Sequence, residues 1–234
     1  MKSLLDLFHC SGLAADGYAQ AGIAVVGVDI DDHHSPHEVI LADAVEVLSS
    51  PTWRGFVENF DFIHASPPCQ AHTRAQHLRK AQGGTSKFPD LLTPTLQALR
   101  DNWYHKPWIV ENVVGAPGME GAVTLCGSMF GLQVQRHRLF KSNIQLAMVD
   151  HYGWPLRCDH KSFPIHPTTG KPSPWGVYYN PGDQIPRGGR TCLNAEHAME
   201  CMGIKRPDLM KWDDIKEGLP PSYTEYLGQQ LLAY

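Results

Sequence analysis

The sequence predicts an α/β protein built on a mostly parallel, doubly wound sheet. Two observations carry that expectation. From residue 3 to residue 113, short apolar runs alternate with segments of helical period, the order that places helices between parallel strands. The second apolar run, IAVVGVDID, is continuous rather than alternating, as a strand covered on both faces requires.

The elements follow in order. SLLDLF reads as the first strand and ends in the turn-like HCSGLAADG. LAADGYAQAG reads as a helix closed by Gly22, and IAVVGVDID as the second strand. HEVILADAVEVL fits a helical piece and a short strand equally well. FDFIHA is a further strand that runs into Ser66-Pro67-Pro68-Cys69-Gln70; LLTPTLQALRDNW is a helix and PWIVENV a strand. After about residue 141 the texture changes to Pro, Gly, His and aromatic residues without a helical period. A long loop region of this kind is usually functional or disordered, and its tryptophans and tyrosines argue against disorder. LNAEHAMECMGI and PPSYTEYLGQQLLAY return to helical patterning. Residues 1–141 and 195–234 are therefore expected to form one domain, with 142–194 as a small irregular region.

The 234 residues suffice for one well-buried domain, and 42% hydrophobic with 19% charged residues excludes a disordered chain. No apolar run approaches the roughly 18–20 residues that cross a bilayer. The first residues, MKSLLDLFHC, carry an aspartate inside the apolar stretch, unlike a secretory signal; a cytoplasmic location is expected. The six cysteines (10, 69, 126, 158, 192 and 201) lack a framework spacing, so they read as thiols. A net charge of −4 gives no bulk attraction to nucleic acid, although a local basic face is compatible with it.

Three constellations carry chemistry. Asp29 ends the second strand, where an acidic group commonly takes ribose hydroxyls, yet only Gly12 supplies glycine to the preceding turn. Residues alone leave a nucleoside-type cofactor and a purely structural strand–helix start equally open. Cys69 lies at a strand end behind two prolines, either as an incidental thiol in a rigid turn or as a nucleophile favoured by nearby positive charge. Glu111 follows PWIV; burial there would raise its pKa and suit it to proton donation. Arg136 and Arg138, in QVQRHRLF, are expected to alternate along one strand and point the same way.

The order DLF-x-x-x-G, VD, PPCQ, ENV, Arg-x-Arg-Leu-Phe and PPSYTEYLGQQL resembles the DNA cytosine-5 methyltransferase family, over residues 3–141 and about 195–234. The resemblance implies a Rossmann-like S-adenosylmethionine-dependent methyltransferase fold in a compact, phage- or prophage-like form. Residues 142–194 would be the target-recognition region, and double-stranded DNA the partner of a monomer in a bacterial or phage-infected cell. It implies that Cys69 adds to carbon 6 of a flipped-out cytosine, that Pro68 fixes its loop, and that Glu111 holds ring nitrogen 3 and the exocyclic amine. Arg136 and Arg138 would stand beside base and cysteine. Phe8, Gly12, Leu13, Asp29, Ile30, Asp43, Pro67 and Pro68 would line the S-adenosylmethionine pocket, and Gln70, Arg187 and Arg190 would meet DNA. The alternatives are methyl transfer to RNA or a free pyrimidine nucleotide, or a catalytically silent relative.

The chain departs from the family pattern in its turn. Cys10 and Leu13, in Phe8-His9-Cys10-Ser11-Gly12-Leu13, stand where glycines usually admit the methionine portion of the cofactor. Cys158-x-His160, with His151, His166, Cys192, His197 and Cys201, raises the question of zinc. No Cys-x-x-Cys pair or standard spacing is present, so no metal is expected and the histidines read as solvated.

Overall fold

The structure, a computed structural model, describes residues 1–72, 88–150, 152–177, 190–206, 208 and 211–234. Among them, β1 (Ser3–Leu7), β2 (Ala24–Asp29), β3 (Glu38–Leu41), β4 (Phe62–Ala65), β5 (Trp108–Val113), β6 (Val123–Leu125) and β7 (Arg138–Ser142) form one sheet. Its order is β3-β2-β1-β4-β5-β7-β6. Strand β7 runs antiparallel to both its neighbours, while the other pairings are parallel. The chain reverses its direction of travel across the sheet between β1 and β4. That switch point opens a crevice at the carboxyl ends of the strands, the usual ligand position in such sheets.

Helices cover both faces. Helices α2 (Ala44–Ser49), α3 (Arg54–Glu58) and α4 (Leu92–Asn102) bury Val47, Leu48, Val57, Leu96 and Leu99 against Leu5, Leu7 and Ile63. On the other face, α1 (Leu13–Gln20) and the last helix, α7 (Pro221–Ala233), bury Tyr18, Tyr223 and Leu227 against Leu4, Phe62 and Ile109. Between them in sequence come α5 (Ala195–Met202) and α6 (Trp212–Glu217). The ambiguous HEVILADAVEVL segment contains both candidates, β3 and α2. Asp43 separates them by accepting hydrogen bonds from the Val45 and Glu46 amides, as a helix N-cap does.

Helices α1 and α7 touch almost backbone to backbone. A Cβ on Gly17 would lie 2.0 Å from the Pro221 carbonyl oxygen, and one on Gly228 would lie 2.8 Å from Ala21 Cβ. Glycine here allows the close crossing that seats α7 on the sheet.

Residues 142–150, 152–177 and 190–194 are largely irregular, with a two-stranded ladder of β8 (Trp175–Gly176) and β9 (Arg190–Thr191). They pack onto the rest of the chain: Val177 and Cys192 share a core with Leu13, Val134, Met202 and Ile215. The guanidinium of Arg190, a residue expected to meet DNA, lies 5.0 Å from the Trp175 ring centroid and donates to the Ile165 carbonyl, which ties this region together. Arg187, Tyr178, Tyr179 and His151 lie outside the described residues. No helix among the described residues is long and apolar enough to cross a membrane.

Candidate active site

The strand ends build the site by a simple rule of side-chain alternation. On the face covered by α1 and α7, β1, β4 and β5 each carry an apolar residue followed two positions later by a polar one: Leu4 then Asp6, Phe62 then His64, Ile109 then Glu111. Residues two apart share a face, so the polar members line up near the carboxyl ends. Strand β7 adds Arg138, two residues before the core residue Phe140.

The loop after β4 continues this frame. The Ser66 amide donates to the Leu7 carbonyl and extends the pairing of β1 with β4. The buried Asn112 amide donates to the Pro67 carbonyl at 3.0 Å, pinning the double proline to β5. Cys69 then opens a single 3-10 turn with Gln70 beside it. The prolines fix the local backbone, and Asn112, whose role the sequence reading missed, anchors it.

Glu111 is buried, and the Arg138 guanidinium Nε lies 2.9 Å from its Oε1. Burial raises the Glu111 carboxyl above its ordinary pKa, and the opposing charges of Arg138, His64 and Arg136 do not cancel the rise. Burial likewise raises the Cys69 thiol, aided by Glu111 and opposed by Arg138 and Arg136. The arginines lower the Cys69 thiol, as nearby positive charge should, but desolvation outweighs them. The two groups repel as anions. A thiolate beside a neutral Glu111, its proton passed from the thiol to the carboxylate, avoids that repulsion.

Arg136 also departs from expectation. Strand β7 begins at Arg138, and Arg136 precedes it with a positive φ of 28°. The two therefore do not alternate along one strand. The Arg136 guanidinium donates to the Lys216 and Gly218 carbonyls, while its own carbonyl accepts from Tyr223 Oη. It fastens the end of α6 and the start of α7 to the site, within electrostatic reach of Cys69.

The turn after β1 lies across the crevice. Phe8 and Cys10 both adopt left-handed backbone, with φ of 60° and 51°, where non-glycine residues carry strain. The Cys10 amide donates to Asp29 at 2.8 Å, and the Ile30 amide donates to the other carboxylate oxygen at 2.7 Å. Asp29 thus braces the turn. Gly12 must remain glycine, since a Cβ there would lie 2.7 Å from Ser35 Oγ. Burial pushes the Cys10 thiol up to about 12, reinforced by the carboxylates of Glu217, Asp29 and Asp214.

Two residues expected in the cofactor pocket have other occupations. Leu13 is 2% exposed and packs in the core with Val134 and Ile215. The Asp43 carboxylate is engaged in capping α2.

Beneath both loops lies a buried network that the sequence reading did not identify. Asp6 accepts from two histidines, His9 Nδ1 at 2.7 Å and His64 Nδ1 at 2.8 Å. His9 Nε2 lies 2.7 Å from Ser35 Oγ. A charged or imidazole group inside an apolar strand, as in SLLDL and FIHA, was the available signal, since such groups are seldom fully buried unless paired. Burial by itself would raise the Asp6 carboxyl, but hydrogen bonds and charge from His64 and His9 hold it at about 2, below its ordinary 3.8. The folded pKa is depressed, so this stabilisation is complete above about pH 4 and is lost as pH falls towards about 2. Asp6→Asn is expected to cost about 2 kcal/mol or more near neutral pH. In denaturant titrations the gap to wild type should shrink as the pH is lowered through about 4 to 2; a gap that widens there would contradict the assignment.

By sequence, no family model and no curated protein matches the chain. By structure, it is similar to the Entamoeba histolytica methyltransferase EhMeth, with a TM-score of 0.63 at 10% identity over 100% of this chain and 98% of that one. The S. pombe Dnmt2 methyltransferase gives 0.60 at 12% identity over 99% and 98%. A protein described as a candidate DNA modification methyltransferase encoded within an E. coli prophage gives 0.59 at 16% identity over 100% of both chains. The chain has the Rossmann-like fold of these methyltransferases, sheet and flanking helices included.

Proposed function

We propose that the protein is an S-adenosylmethionine-dependent methyltransferase that acts on carbon 5 of cytosine in double-stranded DNA. The observation that carries this reading is the meeting of Cys69, Glu111 and Arg138 from the ends of β4, β5 and β7. A pyrimidine carbon is a poor nucleophile, and covalent addition divides one hard step into two easier ones. Cys69 Sγ bonds to ring carbon 6, and the electrons of the 5,6 double bond move towards ring nitrogen 3. Glu111, in its neutral form, donates its proton there. Carbon 5 is thereby enriched in electrons. Once it carries the methyl group, the ring nitrogen 3 proton returns to Glu111, the carbon 5 proton passes to solvent, and Cys69 leaves as the thiolate, which restores the ring. Arg138 holds Glu111 in place. The target base is inaccessible within a duplex, so it must be extruded to reach this crevice.

The turn after β1 fits the cofactor. Asp29 closes β2, Ile30 is 80% exposed at its rim, and the Glu217, Asp29 and Asp214 carboxylates surround Cys10. Such an acidic lining suits the sulfonium and ammonium charges of S-adenosylmethionine, and the exposed isoleucine offers an apolar face to adenine. When bound, that cofactor supplies an electrophilic methyl group.

The direct test offers labelled S-adenosylmethionine with duplex DNA, tRNA or dCMP, followed by bisulfite mapping of any labelled DNA. Label on cytosine carbon 5 of duplex DNA is expected. Label confined to tRNA or dCMP would overturn the substrate, and a silent relative would label none of them. Calorimetry tests the pocket separately. Cys10→Gly releases a strained left-handed residue and opens space, so it should tighten S-adenosylhomocysteine by roughly fivefold, about 1 kcal/mol. Weaker binding by Cys10→Gly would show that the thiol assists binding. Leu13→Gly should instead destabilise the fold, because that side chain fills a core.

A further inference from the structure

We propose that Cys126, His137, Cys158 and His160 form a closed, tetrahedral Cys2His2 site for zinc that clips the irregular region onto the catalytic sheet. Spacing along the chain does not select these four, since Cys126 and His137 are eleven residues apart and only Cys158 and His160 are close neighbours. Folding creates the set. Leu125 pairs with Arg138 across β6 and β7, so Cys126, which follows Leu125, and His137, which precedes Arg138, stand at the same end of that ladder. Cys158 and His160 arrive from the irregular region. The Asp159 amide between them donates to Ser128 Oγ at 3.1 Å, which seats that loop against the hairpin.

The distances suit a metal. His160 Nε2 lies 3.4 Å from Cys126 Sγ, and His137 Nε2 lies 3.5 Å from Cys158 Sγ. All four ligand atoms fall within 4.8 Å of one another. Zinc bonds of about 2.3 Å to sulfur and about 2.0–2.1 Å to nitrogen give a tetrahedral sulfur–nitrogen edge of about 3.5 Å. A donor set of two thiolates and two imidazoles favours zinc over the harder cations. Four protein ligands leave no open position, which makes the site structural rather than catalytic.

The surroundings orient the ligands. Both histidines turn Nε2 towards the thiols, and His137 Nδ1 lies 3.3 Å from Gln135 Nε2. The buried Phe163 ring stacks on His160, with centroids 5.6 Å apart and planes inclined by 20°. His137 immediately precedes Arg138, the partner of Glu111. A metal here would hold the hairpin end that positions Arg138 and join it to the loop carrying Cys158 and His160.

The test uses the full-length protein, purified without a metal-affinity tag. Elemental analysis should find about one zinc per chain that survives dialysis. Cobalt(II) exchanged into the site should show the strong d–d and thiolate-to-cobalt bands of a tetrahedral centre. Cys158→Ala and His160→Ala, both at exposed positions, should fold normally yet lose the zinc and the tetrahedral cobalt spectrum. His197→Ala, in a separate group with Cys192 and Cys201, should retain both. A weak octahedral cobalt spectrum in the wild type would overturn the proposal. So would full zinc retention in Cys158→Ala and His160→Ala, or zinc loss caused by His197→Ala alone.

Discussion

Replacing Cys69 with serine is expected to lower methyl transfer by about ten-thousand-fold or more while stability changes by less than about 0.5 kcal/mol. The catalytic loss follows from the nucleophile. A serine hydroxyl is far harder to ionise than a thiol, and burial that already raises the Cys69 thiol would penalise an alkoxide still more. The stability follows from the loop's anchors, which are the Ser66 amide on the Leu7 carbonyl and the Asn112 amide on the Pro67 carbonyl. Neither involves the thiol. Single-turnover methyl transfer and thermal unfolding of the variant provide the check. Retention of roughly a tenth of the wild-type rate would remove Cys69 from the chemistry. Loss of S-adenosylhomocysteine binding would instead mean that Cys69 supports the pocket.

Gly17→Ala is expected to destabilise the fold by roughly 3 kcal/mol or more, despite the higher helix propensity of alanine. The added Cβ would lie 2.0 Å from the Pro221 carbonyl oxygen and 2.1 Å from Thr224 Oγ1. Relief requires α7 to move away from α1, and α7 carries Tyr223, whose hydroxyl holds the Arg136 backbone. A melting temperature lower by about 6–12 °C is the corresponding signal for a chain of this length. Gly55→Ala provides the contrast. That glycine lies in α3 with no atom within 4 Å of the position its Cβ would take. Alanine there should be neutral or stabilising by up to about 1 kcal/mol. Equal effects at the two positions would show that α1 and α7 do not cross as closely as described.

The sequence by itself determined the alternation of strands and helices. Apolar runs such as LLDLF, AVVGV and FIHA, and the helical period of LTPTLQALRDN, are local features that identify elements without knowledge of their neighbours. It also singled out Cys69 and Glu111 as candidates, because each comes after an apolar run. HEVILADAVEVL was ambiguous because its apolar residues suit both periods; the capping bonds of Asp43 resolve it into strand and helix.

Only the tertiary structure decided the rest, because those properties depend on groups far apart in the chain. Whether Cys69 and Glu111 ionise depends on burial and on charges from β4, β5 and β7, and burial raises both groups. Leu13 leaves the cofactor turn for a core whose other members come from Val134 and Ile215. The Asp6 network needs β4 beside β1, an adjacency that follows from a crossover and not from sequence order. The four metal-ligating side chains meet because one end of the β6–β7 ladder and a distant loop converge. Spacing along the chain carries no record of that convergence, since a parallel sheet with crossovers brings together residues that local periodicity cannot relate.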